Sequence, residues 1–361
     1  MHRLKNIFIL LSFLFISNYV FVNLSKAENL SLLFYNLENF SMGTDMPPQS
    51  VIDKYLSDED KIKLDHKDYK AEKIAEVING SVEKGPDIIT LAEIHNTKSL
   101  EFLISKLNKN KHSKVYDLHY SYVSHSENAS NSQNLALIYK SNIGLKVLKI
   151  EEHFVEVNNS ELNRPILQST FEYNKEVFHI FTLHLPSPSH PTKEREVVIK
   201  SLKNILTNLK KQEKNPKIII TGDFNTVKQE EGKVLKALNL NKNIVDMRSY
   251  ADKKTSGTIF YKPNESWSNF DKFLVSSNLL TAKNSDLNSE ISIKKESFKV
   301  ITQEGKDASV KGKHVLVPNS SSFYPKKGQE LKETGPSDHF PILMKLKVGS
   351  IINNKCLSLF L

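Results

Sequence analysis

The chain has a single cysteine, Cys356, close to its C-terminus, so no intramolecular disulfide and no cysteine-based metal cluster can be built. No segment recurs at a period of about 20–50 residues, which argues against a solenoid or propeller. After the first 27 residues no long apolar run appears, which argues against multiple membrane spans. Composition points to neither fibre nor disorder. Of the 361 residues 39% are hydrophobic and 25% charged, enough to bury one large core or two small ones. Without covalent staples, stability has to come from that core.

The opening segment is built differently from the rest. A basic start, Met1-His2-Arg3-Leu4-Lys5-Asn6, precedes an apolar stretch from Ile7 to Val22 and then Asn23-Leu24-Ser25-Lys26-Ala27. That is the layout of a secretory signal peptide, with Ser25 and Ala27 as the small residues before a cut between Ala27 and Glu28. The competing reading is an uncleaved membrane anchor. Ser12, Ser17, Asn18 and Tyr19 interrupt the run, and it is short for a span. An exported protein, periplasmic or secreted, is therefore expected. Cleavage removes Arg3, Lys5 and Lys26 and no acid, so the formal net charge falls from +9 to +6. A basic surface suits nucleic acid, phospholipid headgroups or other polyanions, and it is also a common route to solubility.

Short β-rich apolar runs recur at Leu32–Tyr35, Ile88–Leu91, Leu135–Tyr139, Val177–Leu183, Ile218–Ile220, Phe273–Val275 and Ile342–Leu346. These predict strands of a buried sheet system. Between them, Ala71, Ile74, Ala75 and Ile78 have the spacing of one helix face, as do Leu100, Leu103, Ile104 and Leu107, and Val198, Leu202, Ile205 and Leu209. Gly85-Pro86 and Asn215-Pro216 mark helix-to-strand junctions. The mixture implies an α/β or α+β architecture. Residues 41–69 and roughly 281–335 are polar and irregular, and read as surface insertions.

Polar residues cluster at the ends of these predicted strands: Asn36 and Glu38, Glu93, His184, Asp223 and Asn225, and Asp338 with His339. Strand ends are where sheet proteins place ligand sites. Each residue has a bland explanation alone. Gly-Asp-Phe-Asn after a strand can be a plain Asx turn, a lone Glu is usually solvated, and a lone His is usually a satisfied structural group. Together, carboxylates, carboxamides and imidazoles without thiolates describe a hard oxygen-ligand site for Mg²⁺ or Mn²⁺, with histidines nearby for proton or charge work.

The motifs Phe-Tyr-Asn36-Leu-Glu38-Asn39-Phe, Leu-Ala-Glu93-Ile, Thr-Leu-His184-Leu, Thr-Gly-Asp223-Phe-Asn225 and Ser-Asp338-His339-Phe-Pro occur here in order. In that order they resemble the endonuclease/exonuclease/phosphatase superfamily, which includes pancreatic-type deoxyribonuclease, abasic-site endonucleases, sphingomyelinases and inositol-polyphosphate phosphatases. The similarity runs over about residues 31–346. Asn163-Arg164-Pro165, and Tyr261 followed by Trp267 and Asp271, look like its exported bacterial branch.

The resemblance implies a four-layer α/β sandwich, two mixed β-sheets packed face to face with helices outside. It makes residues 28–348 the catalytic domain and 349–361 a C-terminal tail. It also implies roles. Glu93 is the principal metal ligand, helped by Asn36 and Glu38, with Asp338 supporting the site. Asp223 holds or activates the attacking water, and Asn225 orients phosphate or water. His339 paired to Asp271 is base or charge stabiliser, the choice between it and Asp223 as base staying open. His184 contacts the scissile phosphate, and Arg164 adds a fixed positive charge. The chain departs from better-known relatives in lacking the deoxyribonuclease cysteines and an assignable acidic partner for His184. Its segment near 281–335 matches no known recognition loop.

One catalytic set of this kind serves nucleic acids, lipids and inositol phosphates, so the motifs leave the substrate open. The basic balance favours a nuclease acting on DNA or RNA. A monomer is expected, and no protein partner is implied. Lys253, Lys254, Lys262 and Lys272 could meet a phosphate backbone, or form a solvated charged face. A phospholipid or sphingomyelin phosphodiesterase would need an apolar tip, for which Ser321-Ser322-Phe323-Tyr324-Pro325 is the candidate. A non-catalytic polyanion-binding module would be expected to lose site residues, and none of the principal ones is missing.

Overall fold

The structure is a computed structural model, described here for residues 29–41, 58–109, 115–117, 121–123, 133–157, 165–238, 243–251, 257–280, 291–304, 308–311, 315–318 and 335–348. In chain order the first strands are β1 (Asn29–Phe40), β2 (Ile88–Ile94), β3 (Ser121–Val123), β4 (Asn134–Tyr139), β5 (Lys146–His153) and β6 (Ile166–Tyr173). Then come β7 (Glu176–His184), β8 (Ile218–Asp223), β9 (Ile244–Asp246), β10 (Ile259–Tyr261) and β11 (Ser266–Ser268). The last are β12 (Asp271–Ser276), β13 (Ile291–Val300), β14 (Ala308–Lys311), β15 (Val315–Pro318) and β16 (Ile342–Val348). The α-helices are α1 (Asp58–Gly80), α2 (Thr97–Asn108), α3 (Thr192–Gln212) and α4 (Lys228–Leu238).

Two six-stranded mixed sheets form, ordered β13-β16-β1-β2-β4-β3 and β5-β6-β7-β8-β12-β9. Each is antiparallel apart from one central parallel pair, β1 with β2 and β7 with β8. A parallel pair needs a crossover, and α1 and α3 supply them. Period-two alternation sorts the side chains into layers. Leu32 and Phe34 of β1, Ile180 of β7, Ile219 of β8, Phe273 of β12 and Met344 of β16 share the core between the sheets. Leu33, Tyr35 and Leu91 point the other way, against Ile74, Ile78, Leu100 and Leu103 of α1 and α2. Phe181, Leu183 and Ile220 meet Val198, Leu202 and Leu206 of α3. The result is the four-layer α/β sandwich, and every strand run and helix face read from the sequence lies where it was expected. On α3 the face shifts slightly, Leu206 being buried while Ile205 is only partly so.

Two expectations need correction. Residues 58–69 are not irregular but form the first half of α1, whose Lys- and Asp-rich sequence hides its helical period. Within 281–335, β13 is a ten-residue strand paired to β16. Ile291, Ile293 and Phe298 face the inter-sheet core, but a register shift between Lys294 and Lys299 breaks the alternation that would reveal it. The proposed leader, the C-terminal tail, Cys356, Arg164, Lys253, Lys254 and the segment Ser321–Pro325 lie outside the described residues. Among the described residues no helix is long and apolar enough to cross a membrane.

Candidate active site

The same alternation that builds the inter-sheet core delivers the polar residues to one end of it. Along β1, Leu32 and Phe34 are followed two residues later by Asn36. Ile180 leads through Thr182 to His184 on β7, and Ile219 through Thr221 to Asp223 on β8. Asp271 precedes Phe273 on β12. In the second sheet His184, Asp223 and Asp271 stand abreast across three strands, His184 opposite Asp223 and Asp223 opposite Asp271. At the C-terminal ends of both parallel pairs the apolar filling thus gives way to a polar cleft.

Glu93 breaks the alternation. Its neighbours Ala92 and Ile94 face opposite layers, and a register shift lies between them. The residue takes left-handed backbone, φ 61°, which turns its carboxylate towards Asn36. Glu38 (φ 49°), Asn39 (φ 55°) and Asn225 (φ 47°) do the same at adjoining strand ends. Such conformations cost on the order of 1 kcal/mol each for non-glycine residues and concentrate at functional sites.

Hydrogen bonds lock the two sheets together here. Asn36 Nδ2 donates to Glu93 Oε1 and to Asp223 Oδ2, each at 3.0 Å, while Asn39 N–H donates to Glu93 Oε2 at 2.8 Å. His184 Nε2 lies 3.5 Å from Glu93 Oε1 and 3.6 Å from Asp223 Oδ2. Asn225 donates its backbone N–H to Asp223 Oδ1 at 2.8 Å and its side-chain amide to the Leu185 carbonyl at 2.9 Å. His339 Nδ1 is 2.8 Å from Asp271 Oδ2, leaving Nε2 aimed into the cleft, 3.8 Å from Asp223 Oδ2 and 3.9 Å from Asp338 Oδ1. Ser337 Oγ donates to the Asn36 carbonyl at 2.7 Å and accepts the His339 N–H at 3.1 Å, which ties the histidine loop to β1.

The electrostatics follow from crowding like charges out of water. Burial, then repulsion from Asp271 and Glu93, pushes the Asp223 carboxyl up to about 7, against the lowering charge of His339. Asp338, at the rim, is pushed up to about 6 by desolvation and then by Glu38 and Glu93. Burial alone would lower His339, but the charge and hydrogen bond of Asp271, with Asp338 and Asp223 beyond, hold it well above an ordinary imidazole. A buried cluster of mutually repelling carboxylates is the donor set a hard divalent cation neutralises. Ligand atoms of Glu93, His184 and Asp223 lie within 4.8 Å of one another, as do those of Asp223, Asp271 and His339.

The structure therefore gathers Asn36, Glu38, Glu93, His184, Asp223, Asn225, Asp271, Asp338 and His339 in one cleft. Lys272 is not available to a phosphate backbone. It is buried, donating to Glu231 at 2.5 Å and to the Asn269 carbonyl at 2.6 Å. Sequence reasoning missed Lys70 on α1, whose Nζ donates to the Glu38 carbonyl at 2.6 Å. It also missed Ser337, and Thr258, whose Oγ1 accepts the Asp271 N–H at 3.2 Å. A lysine four residues before Ile74, on an otherwise apolar helix face, was the signal for Lys70.

A family model described as Endonuclease/Exonuclease/phosphatase family matches residues 31–348. Among solved structures the chain is similar to an endonuclease/exonuclease/phosphatase family protein from Bacteroides thetaiotaomicron. The TM-score is 0.56 at 17% identity, over 90% of this chain and 97% of that one. A mannosyl-6-phosphatase from the same organism gives 0.55 at 17% identity, covering 88% and 99% of the two chains. D. rerio TDP2, in complex with a single-strand DNA product, gives 0.53 at 15% identity, covering 89% and 99%. No curated protein matches the sequence.

Proposed function

Since the chain belongs to the Endonuclease/Exonuclease/phosphatase family, whose members are phosphoester hydrolases, we propose that it is an exported, Mg²⁺- or Mn²⁺-dependent phosphodiesterase acting on nucleic acid. The observation that carries the chemistry is the convergence of Asn36, Glu93, His184 and Asp223 with the Asp271–His339 pair at the joined ends of two sheets. Glu93, Asn36, Glu38 and Asp338 would hold the cation. When bound, it supplies Lewis acidity and neutralises charge on a non-bridging phosphoryl oxygen.

The chain's own residues do the rest. Asp223, poised near neutrality and fixed by Asn36 and the Asn225 N–H, takes the proton of an in-line water as its oxygen attacks phosphorus, while the bond from phosphorus to the ester oxygen opposite breaks and that oxygen takes its proton from solvent water. His339, kept protonated by Asp271, places Nε2–H against the charge that grows on the phosphoryl oxygens. Asn225, with one amide hydrogen committed to Leu185, has the other for a phosphoryl oxygen. His184, beside Asp223 on the neighbouring strand, donates to the scissile phosphate, and Arg164 adds positive charge. The preference for nucleic acid rests on the basic balance of the chain, +6 once Arg3, Lys5 and Lys26 leave with the leader.

Purified protein is incubated with plasmid DNA, RNA, sphingomyelin, an inositol phosphate and mannose 6-phosphate, with Mg²⁺ and with EDTA. Metal-dependent cleavage of DNA or RNA is expected. Turnover of a lipid or sugar phosphate instead keeps the site and moves the substrate class, and no turnover of any favours the polyanion-binding module. Export is checked separately, by N-terminal sequencing of the protein from the expressing bacterium, with Glu28 expected first.

A further inference from the structure

We infer that the groove between α3 and α4 is a second binding site, separate from the catalytic cleft, for a small amphiphilic anion: a short apolar tail carrying one carboxylate, sulfate or phosphate head. A cavity of about 290 Å³ lies there, lined by side chains from residues 192–203 of α3 and 230–237 of α4. Its lining is mostly apolar. Ile199 and Ala237 bring no polar side-chain atom, and the lysines bring methylene stems. Two of its charged members are already matched. Arg195, almost fully buried, donates from Nε to Glu230 Oε2 at 3.0 Å and from Nη2 to Glu230 Oε1 at 2.9 Å, while its Nη1 donates to the Ser187 carbonyl at 2.8 Å.

The remaining charges do not cancel. One acid, Glu196, stands against the exposed Lys200, Lys203 and Lys233. Among the described residues, neither Lys200 nor Lys203 has a hydrogen bond or ion pair through its ammonium. Apolar walls beside an excess of cations complement a molecule that is apolar at one end and anionic at the other. A bare inorganic anion would meet only hydrated ammoniums, a neutral apolar molecule would leave the lysines unused, and a nucleic-acid backbone has no tail for the walls. The occupant is a free single-tailed anion and not a bilayer lipid. Among the described residues the exposed large hydrophobic side chains are Leu148, Phe154, Tyr250 and Tyr261, none of them on α3 or α4, so this face has nothing to set into a membrane.

The test is titration calorimetry of the full chain with octyl sulfate, kept below the concentration at which it forms micelles, in EDTA. An alkyl sulfate is no phosphoester, so neither metal nor turnover is involved. One octyl sulfate per chain is expected, bound about tenfold or more tightly than inorganic sulfate or octanol. Ala237→Trp, which fills the cavity, should abolish binding, and the double variant Lys200→Gln/Lys203→Gln should weaken it about tenfold. Asp223→Asn should bind as wild type does. No saturable binding, affinity no better than that of inorganic sulfate, or binding that survives in both groove variants overturns the inference. So does binding lost in Asp223→Asn, which would put the anion in the catalytic cleft. Both lysines are exposed, so the double variant decides the matter even if Ala237→Trp fails to fold. A DNA oligonucleotide or phosphatidylglycerol vesicles bound through these lysines, with no octyl sulfate bound, would also overturn it.

Discussion

Asp223 and His339 make the cleft a source of pH dependence even without substrate. The Asp223 carboxyl is pushed from an ordinary 3.8 up to about 7 by burial, then by Asp271 and Glu93, so between those values the native chain holds a proton the unfolded chain has released. Stability contributed by this group therefore falls as pH rises through that window. His339 acts in the same sense. Its folded value is raised, so its contribution is full below the unfolded 6.5 and is lost as pH climbs through the folded one. In EDTA, Asp223→Asn should melt above wild type at about pH 8 and close to it at about pH 4. Scanning calorimetry showing the same offset at both would contradict the assignment. Mg²⁺ should raise the melting point of both, since Glu93, Asn36, Glu38 and Asp338 are intact in the variant. Asp271→Asn removes the counter-charge of His339. Turnover should fall on the order of a hundredfold to ten-thousandfold and the basic limb of the pH–rate profile should move to lower pH. An unmoved profile would deny His339 its protonated role. Residue identities at the strand ends were legible in the sequence, because carboxylates and imidazoles there have few structural partners to satisfy. Lys70 was not, since its bond to the Glu38 carbonyl exists only once α1 packs against the end of β1.

At the scale of elements, the site depends on β7 and β8 lying close enough to set His184 opposite Asp223. Gly222 makes that approach possible. Its φ is 148°, and a Cβ there would sit 1.9 Å from the Leu183 carbonyl oxygen. Gly222→Ala should cost more than about 1 kcal/mol and part the two strands. Denaturant titration would show the loss, and Mn²⁺ affinity should fall with it. An alanine variant of wild-type stability and metal affinity would mean that the contact relaxes at no cost. Period-two alternation carried most of the strand layout in the sequence, from Leu32 through Asn36 and from Ile219 through Asp223. It could not place Glu93, whose inward turn requires left-handed backbone at a register shift, nor β13, where Lys and Glu break the pattern.

For the whole molecule, the two sheets are coupled through one inter-sheet core and through the Asn36 bonds at its open end. The scaffold and the cleft should therefore be separable. Phe178→Ala, which empties a buried site in the inter-sheet core against Phe171, should lose about 3–5 kcal/mol of stability and keep its metal affinity. Equilibrium unfolding and Mn²⁺ titration of one variant check both halves. The four-layer architecture was legible because ordered motifs and helix faces fixed which elements exist. Substrate class was not, because one catalytic set serves many phosphoesters and the basic excess is spread along the chain. The most direct test of the account is cleavage of supercoiled plasmid DNA by purified wild type and Asp223→Asn, each with Mg²⁺ and with EDTA. The prediction is nicking by wild type in Mg²⁺ alone. Cleavage that survives EDTA, or that Asp223→Asn performs at the wild-type rate, would contradict it.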